Sequence, residues 1–137
     1  IDEEAFQSED SSLAVSIAGA NADSEKFYAF ARHLINMYSQ EYNVIVSGRD
    51  LMRIYPNLNY HFFITASLEE RIRRKMSQYG KNSDYEEVKQ NIVKRDELQE
   101  KAGYYTIYDN TIKVDVTDCK TVEKSTMRVL KHIKEYN

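Results

Sequence analysis

Two apolar runs, each ending in a polar signature, constrain this chain more than any other feature. Val44-Ile45-Val46-Ser47 breaks into Gly48-Arg49-Asp50, and Phe62-Phe63-Ile64-Thr65-Ala66 opens onto Ser67-Leu68-Glu69-Glu70-Arg71-Ile72-Arg73-Arg74-Lys75. A near-continuous β-branched run predicts a strand covered on both faces, here over residues 44–47, with a second strand over 61–66. A strand ending in Gly-Arg-Asp sets a guanidinium and a carboxylate at its C-terminal edge, where open α/β sheets bind ligands. The arginine-dense helix after the second strand adds several guanidinium forks, which suit phosphate oxygens. Two strand ends and a cationic helix predict a phosphate-ester site.

The remaining pattern alternates helices with strands. Asp23 or Ser24 is positioned to cap a helix whose apolar stripe is Phe27, Phe30, Ala31, Leu34, Ile35 and Tyr38. Ser67 with Glu70, and Ser83 with Glu86, read as capping boxes. The first starts a helix buried through Leu68, Ile72, Met76 and Tyr79 and ended by Gly80. The second starts a helix buried through Tyr85, Val88 and Ile92 that runs to about Lys101. Ile112, Val114 and Val116 alternate as a strand, and residues 121–136 close the chain as a helix. Residues 1–12 are acidic and polar and read as a mobile lead-in; residues 13–17 are a short apolar segment, strand or buried turn. Such alternation predicts an α/β fold with a parallel sheet flanked by helices. Three clear strands are few where about five are usual, which predicts a further segment upstream of Ile1, a start that is not methionine.

Composition narrows the function. The 137 residues suffice for one domain with a real core. A net charge of −3 disfavours nucleic acid as a partner, so a phosphate site must be local. No apolar run approaches the roughly 18 residues that span a bilayer, which argues against a membrane protein. Cys119 is alone, so neither a disulfide framework nor a cysteine-rich metal site is expected, and the default setting is cytoplasmic. His33, His61 and His132 have no metal-ligand spacing and read as structural. Tyr104, Tyr105 and Tyr108 form a loop that could stack on a base.

Gly48-Arg49-Asp50 after an apolar run, a strand ending in Thr65-Ala66-Ser67, then Glu69-Glu70-Arg71 with Arg73 and Arg74, then Lys94-Arg95-Asp96 and a late strand and helix form one ordered series. This series resembles the C-terminal portion of cytidylate kinases, the cytidylate kinase-like proteins of bacteria above all. The likeness runs from about residue 24 to the end. It implies a P-loop NTPase-type sheet, a nucleoside monophosphate kinase-like domain over 13–137, and a lid over about 68–101. It also implies ATP and Mg²⁺ as cofactors and CMP or dCMP as acceptor. By the same resemblance Arg49 holds the acceptor phosphate and Asp50 the sugar or its surroundings. Arg95 reaches the acceptor phosphate with Asp96 beside it, and Arg71, Arg73 and Arg74 close over the ATP phosphates and the transferring group. Phosphoryl transfer asks mainly for charge neutralisation of the equatorial oxygens, which arginines and Mg²⁺ supply.

The chain also departs from that pattern. After Asp96 it reads Glu97-Leu98-Gln99-Glu100-Lys101-Ala102, where the family usually has further Asp and Arg residues. No Gly-x-x-x-x-Gly-Lys-Ser/Thr occurs in it. The segment from Gly19 to Lys26 puts Ser24 at the second glycine and Glu25 at the lysine, and a carboxylate there repels phosphate. The following helix also resembles the one that precedes Gly-Arg-Asp in the family, so residues 13–26 read as acceptor-side structure rather than as a degenerate phosphate loop, with the phosphate loop expected upstream of Ile1. The rival expectation is a kinase-derived module that binds or regulates without catalysing. For Arg49 with Asp50 the plainer alternative is a local ion pair. For Arg71, Arg73, Arg74 and Lys75 it is a solvated helix face paired with Glu69 and Glu70.

Overall fold

The computed structural model describes residues 25–80 and 82–133. The expected lead-in, the 13–17 segment and the caps at Asp23 and Ser24 lie outside those residues. In chain order the elements are α1 (Glu25–Ser39), α2 (Leu51–Ile54), β1 (His61–Thr65), α3 (Leu68–Tyr79), α4 (Tyr85–Lys101), β2 (Thr111–Asp115) and α5 (Val122–Leu130). They divide between two compact units, residues 25–58 with 93–106, and residues 59–92 with 107–133. The fold class is α/β, as expected.

In the second unit β1 and β2 pair in parallel, from His61 opposite Thr111 to Thr65 opposite Asp115. Parallel neighbours require a crossover connection, and here it runs through α3 and α4. The ladder continues one step past the strands, Val116 N–H donating to Thr65 O at 2.8 Å. Val114, Val116 and Cys119 form one core with Phe62, Ala66, Ile112 and Val129. Ile72, Val88 and Ile92 form another with Leu68, Met76 and Tyr79, the residues that helical periodicity assigns to it. Tyr85, expected on the inner face, is exposed.

The capping chemistry differs from expectation in an informative way. Ser67 Oγ accepts from Glu70 N–H at 3.2 Å, which is half of the box. The Glu70 carboxylate does not return to Ser67; it turns to Arg73 and Arg74, and Ser67 N–H is satisfied by Thr117 Oγ1 at 2.9 Å instead. At α4 the cap is Asp84, whose Oδ1 accepts from Glu86 N–H at 3.0 Å, while the Ser83 hydroxyl donates to Gly80 O. A carboxylate at Asp84 is as good a cap as a serine. Gly80, at φ 90°, ends α3 as expected. The closing helix starts on the Thr121 cap and stops at Leu130, short of residue 136; residues 134–137 lie outside the described ones.

In the first unit two expectations are corrected. Residues 44–47 form no ladder with any described residue, and Ile45 is 93% exposed. β-Branched residues supply propensity, but a strand exists only through hydrogen bonds to a neighbour. The α1 stripe is also turned. Tyr28 and Ile35, with Ala31 between them, face Ile54, Leu51, Tyr55 and Val46, while Phe27, Phe30 and Tyr38 are exposed. Polar anchors select that face: Arg32, one turn after Tyr28, donates through Nε to Ile54 O at 2.7 Å and through Nη2 to Arg53 O at 3.2 Å. Hydrophobic periodicity does not count such bonds.

Candidate functional site

Gly48-Arg49-Asp50 is the turn that leads into α2. Gly48 has φ 153°, and Asp50 sits in the left-handed region at φ 62°, ψ 29°, the one non-glycine residue with positive φ among those described. An aspartate tolerates that conformation better than most residues. Asp50 occupies the N-cap position of α2, yet its side chain makes no cap hydrogen bond. The carboxylate instead points into the α1 contact. Its Oδ2 accepts from the Tyr28 hydroxyl at 2.5 Å and from Arg53 Nη1 at 3.3 Å. Arg53 also lies over the Tyr28 ring, its Cζ 5.6 Å from the centroid.

Arg49, next in sequence, takes no part in this cluster. It is exposed and makes no hydrogen bond or ion pair with any described residue. An Arg49–Asp50 ion pair is therefore not what the turn builds; Asp50 pairs with Arg53 and leaves Arg49 to solvent or ligand.

Arg95 and Asp96 stand on α4. Arg95 Nε is buried and has no hydrogen-bond partner among the described residues, a costly state for a guanidinium N–H. Asp96 Oδ1 lies 2.9 Å from the Tyr105 hydroxyl, which also approaches Oε1 of the buried Gln99 at 2.6 Å. Tyr105 is thus engaged in tying the 103–106 turn to α4, and the Tyr108 ring packs edge-on against His61.

The α3 arginines have unequal surroundings. Arg73 forks onto Glu70, Nε to Oε2 at 2.9 Å and Nη2 to Oε1 at 2.6 Å, and its side chain remains 59% exposed. Arg74 donates through Nε to Glu70 Oε1 at 3.0 Å and through Nη2 to Val116 O at 2.8 Å and Cys119 O at 3.2 Å. The Arg73 hydrogen bond, then that of Arg74, and the charge of both hold the Glu70 carboxyl down to about 2, against partial desolvation. Arg71, on the same helix, is half-buried. At the C-terminal end of β2, Thr117 donates to Asp115 Oδ1 through its hydroxyl and its N–H and lowers that carboxyl's pKa. Arg128 forks onto Asp118 and reaches Asp115 O at 2.8 Å.

Tyr28, Arg53 and Thr117 escaped the sequence reading. Arg53 could have been found, since it stands three residues after Asp50 at helical spacing. Tyr28 could not, because its partner lies 22 residues away.

The family model for cytidylate kinase matches residues 2–136. The chain belongs to the cytidylate kinase family. Its relatives include the cytidylate kinase of Caldanaerobacter subterraneus subsp. tengcongensis, 39% identical over 99 residues, 68% of this chain and 44% of the relative. The cytidylate kinase of Thermotoga petrophila is 32% identical over 113 residues, 76% of this chain and 51% of its own length. That of Clostridioides difficile is 31% identical over 97 residues, 66% and 44%. The chain therefore spans about half the length of the curated relatives it matches. No solved structure matches it. In this cytidylate kinase family member, no group of three or more His, Cys, Asp or Glu among the described residues could hold a metal ion. No helix among them is long and apolar enough to cross a membrane.

Proposed function

We propose that this family member is a nucleoside monophosphate kinase that transfers the γ-phosphoryl group of ATP to CMP or dCMP in the cytoplasm. Arg49 carries this reading. A guanidinium that is exposed and without a partner among the described residues, next to a buried and tethered aspartate, is a ready anion-binding group. Arg49 takes the acceptor phosphate, and Asp50 takes a donor on the nucleoside side. The buried, unpartnered Nε of Arg95 supports a second acceptor-side contact, with Asp96 beside it. Arg71, Arg73 and Arg74 supply positive charge toward the ATP phosphates, Arg73 being the most exposed of the three. Mg²⁺ in such sites is held by one or two carboxylates and mainly by the phosphates, so the reading does not require a cluster of three protein ligands. When bound it neutralises charge on the β- and γ-oxygens.

A second reading, a binding or regulatory module without catalysis, is favoured by one observation. The single Glu70 carboxylate engages both Arg73 and Arg74, which leaves less of their charge for a nucleotide. Calorimetric titration of CMP, together with a coupled assay of ADP formation from ATP, CMP and Mg²⁺ by the protein as the cell makes it, separates the two. The kinase reading expects binding and turnover. Binding without turnover selects the module, and absence of CMP binding by a folded protein overturns both.

A further inference from the structure

We infer that Tyr28 is a positioning residue of the acceptor site: its hydroxyl holds the Asp50 carboxylate by one oxygen and leaves the other open to a hydrogen-bond donor on the nucleoside monophosphate. This rests on the acceptor reading above. Asp50 stands at an N-cap position, where an aspartate ordinarily accepts from the first backbone N–H groups of its helix. It makes no such bond. Its side chain is only 3% exposed, so little of the carboxylate is left to water. A carboxylate offers about four lone-pair sites on two oxygens. Both bonds it accepts fall on Oδ2, from Tyr28 and from Arg53, and Oδ1 accepts none from any described residue.

A carboxylate oxygen that no described residue engages, on a carboxylate whose other oxygen is held by two donors, is available to a ligand's donor. The chemistry that completes it is an N–H or O–H donor, which a nucleoside carries on its base and its sugar. Arg49, one residue away and free of partners among the described residues, supplies the cation for the phosphate of the same ligand. The clamp on this turn comes from α1. Tyr28 holds the carboxylate, and Arg32, on the same face, holds the carbonyls of Arg53 and Ile54 that follow it. Tyr28 thus acts on the ligand through Asp50 and not by contact.

The test is a double-mutant cycle on CMP binding, read by calorimetry, with thermal melts in parallel. Tyr28→Phe keeps the ring and removes the hydroxyl, and should weaken CMP binding about tenfold. Asp50→Asn should weaken it as well, and the double variant should bind no worse than Asp50→Asn alone, because Tyr28 has no other route to the ligand. Additive losses, or an unchanged affinity in Tyr28→Phe, would overturn the inference while leaving the acceptor reading in place. A Tyr28→Phe chain that no longer folds would overturn it too, since the hydroxyl would then serve the core. A folded wild-type chain that binds no CMP removes the acceptor reading itself, and this inference with it.

Discussion

Arg74 is tied to Val116, 42 residues further along the chain, by a 2.8 Å hydrogen bond from Nη2 to the backbone carbonyl. The same nitrogen reaches Cys119 O, and Nε is held by Glu70. Of the five guanidinium donors, those on Nε and Nη2 are engaged, so a ligand would meet Nη1. On α3, therefore, Arg73 and Arg74 are not equivalent. Arg74 fastens the helix to the segment that follows β2, whereas Arg73 is bound only within its own helix turn, to Glu70.

Removing Arg74 should consequently cost stability, contrary to what its place on a polar helix flank suggests. Arg74→Ala takes the side-chain donor away from Cys119 O and from Val116 O, which keeps its bond from Cys119 N–H, and should lower the unfolding free energy by about 1–3 kcal/mol. Arg74→Lys should recover only part, because a point charge cannot serve two carbonyls and a carboxylate in fixed geometry. Urea unfolding midpoints measure this, and an unchanged midpoint in Arg74→Ala would show that these hydrogen bonds add no net stability.

Glu70 should make the fold acid-sensitive in a defined window. Its carboxyl is held down to about 2 from an ordinary 4.5. The folded state therefore binds the proton more weakly than the unfolded chain, and the stability contributed by Glu70 is complete above about 4.5 and is lost as the pH falls toward 2. Asp115 and Asp118 are lowered as well and act in the same direction. The informative quantity is thus the difference between wild type and Glu70→Gln, which should shrink from pH 6 to pH 3 in parallel melts. A constant difference would mean that the charge of Glu70 is immaterial.

Arg49→Ala should weaken CMP binding by about 1.5–3 kcal/mol, the value of a hydrogen bond to a charged group. With no partner among the described residues to lose, the melting temperature should stay within a degree or two, on the order of the small effects of surface substitutions. Unfolding of this variant with unaltered affinity of the folded fraction would make Arg49 a structural residue.

Two isoleucines should behave oppositely. Ile72, 1% exposed between α3 and α4, should cost about 2–5 kcal/mol on truncation to alanine. Ile45, 93% exposed, should tolerate serine within about 0.5 kcal/mol. A large loss at Ile45 would show that another segment covers the 44–47 run in solution.

Local order in this chain was legible from its residues. Ser67 and Thr121 start helices, Gly80 stops one, the 3.6 period of Leu68, Ile72 and Met76 and of Val88 and Ile92 marks buried faces, and the 61–66 and 112–116 runs mark the two strands. These features depend on neighbours within a few positions, where propensity and periodicity operate. What the tertiary structure decided involves partners far apart in sequence. Tyr28 rather than Phe27 or Phe30 turns inward because Asp50 and α2 await it, Glu70 abandons its capping box for two arginines because Thr117 serves the Ser67 amide, and residues 44–47 form no ladder because no described strand lies beside them. The same division runs through the site. Arg49 and Asp50 stand out in sequence as a motif, but only the folded chain separates their roles, by burying one against Tyr28 and leaving the other without a partner among the described residues. A hydrogen bond between residues 22 apart leaves no trace in local pattern, since its donor and acceptor are ordinary until the fold brings them together.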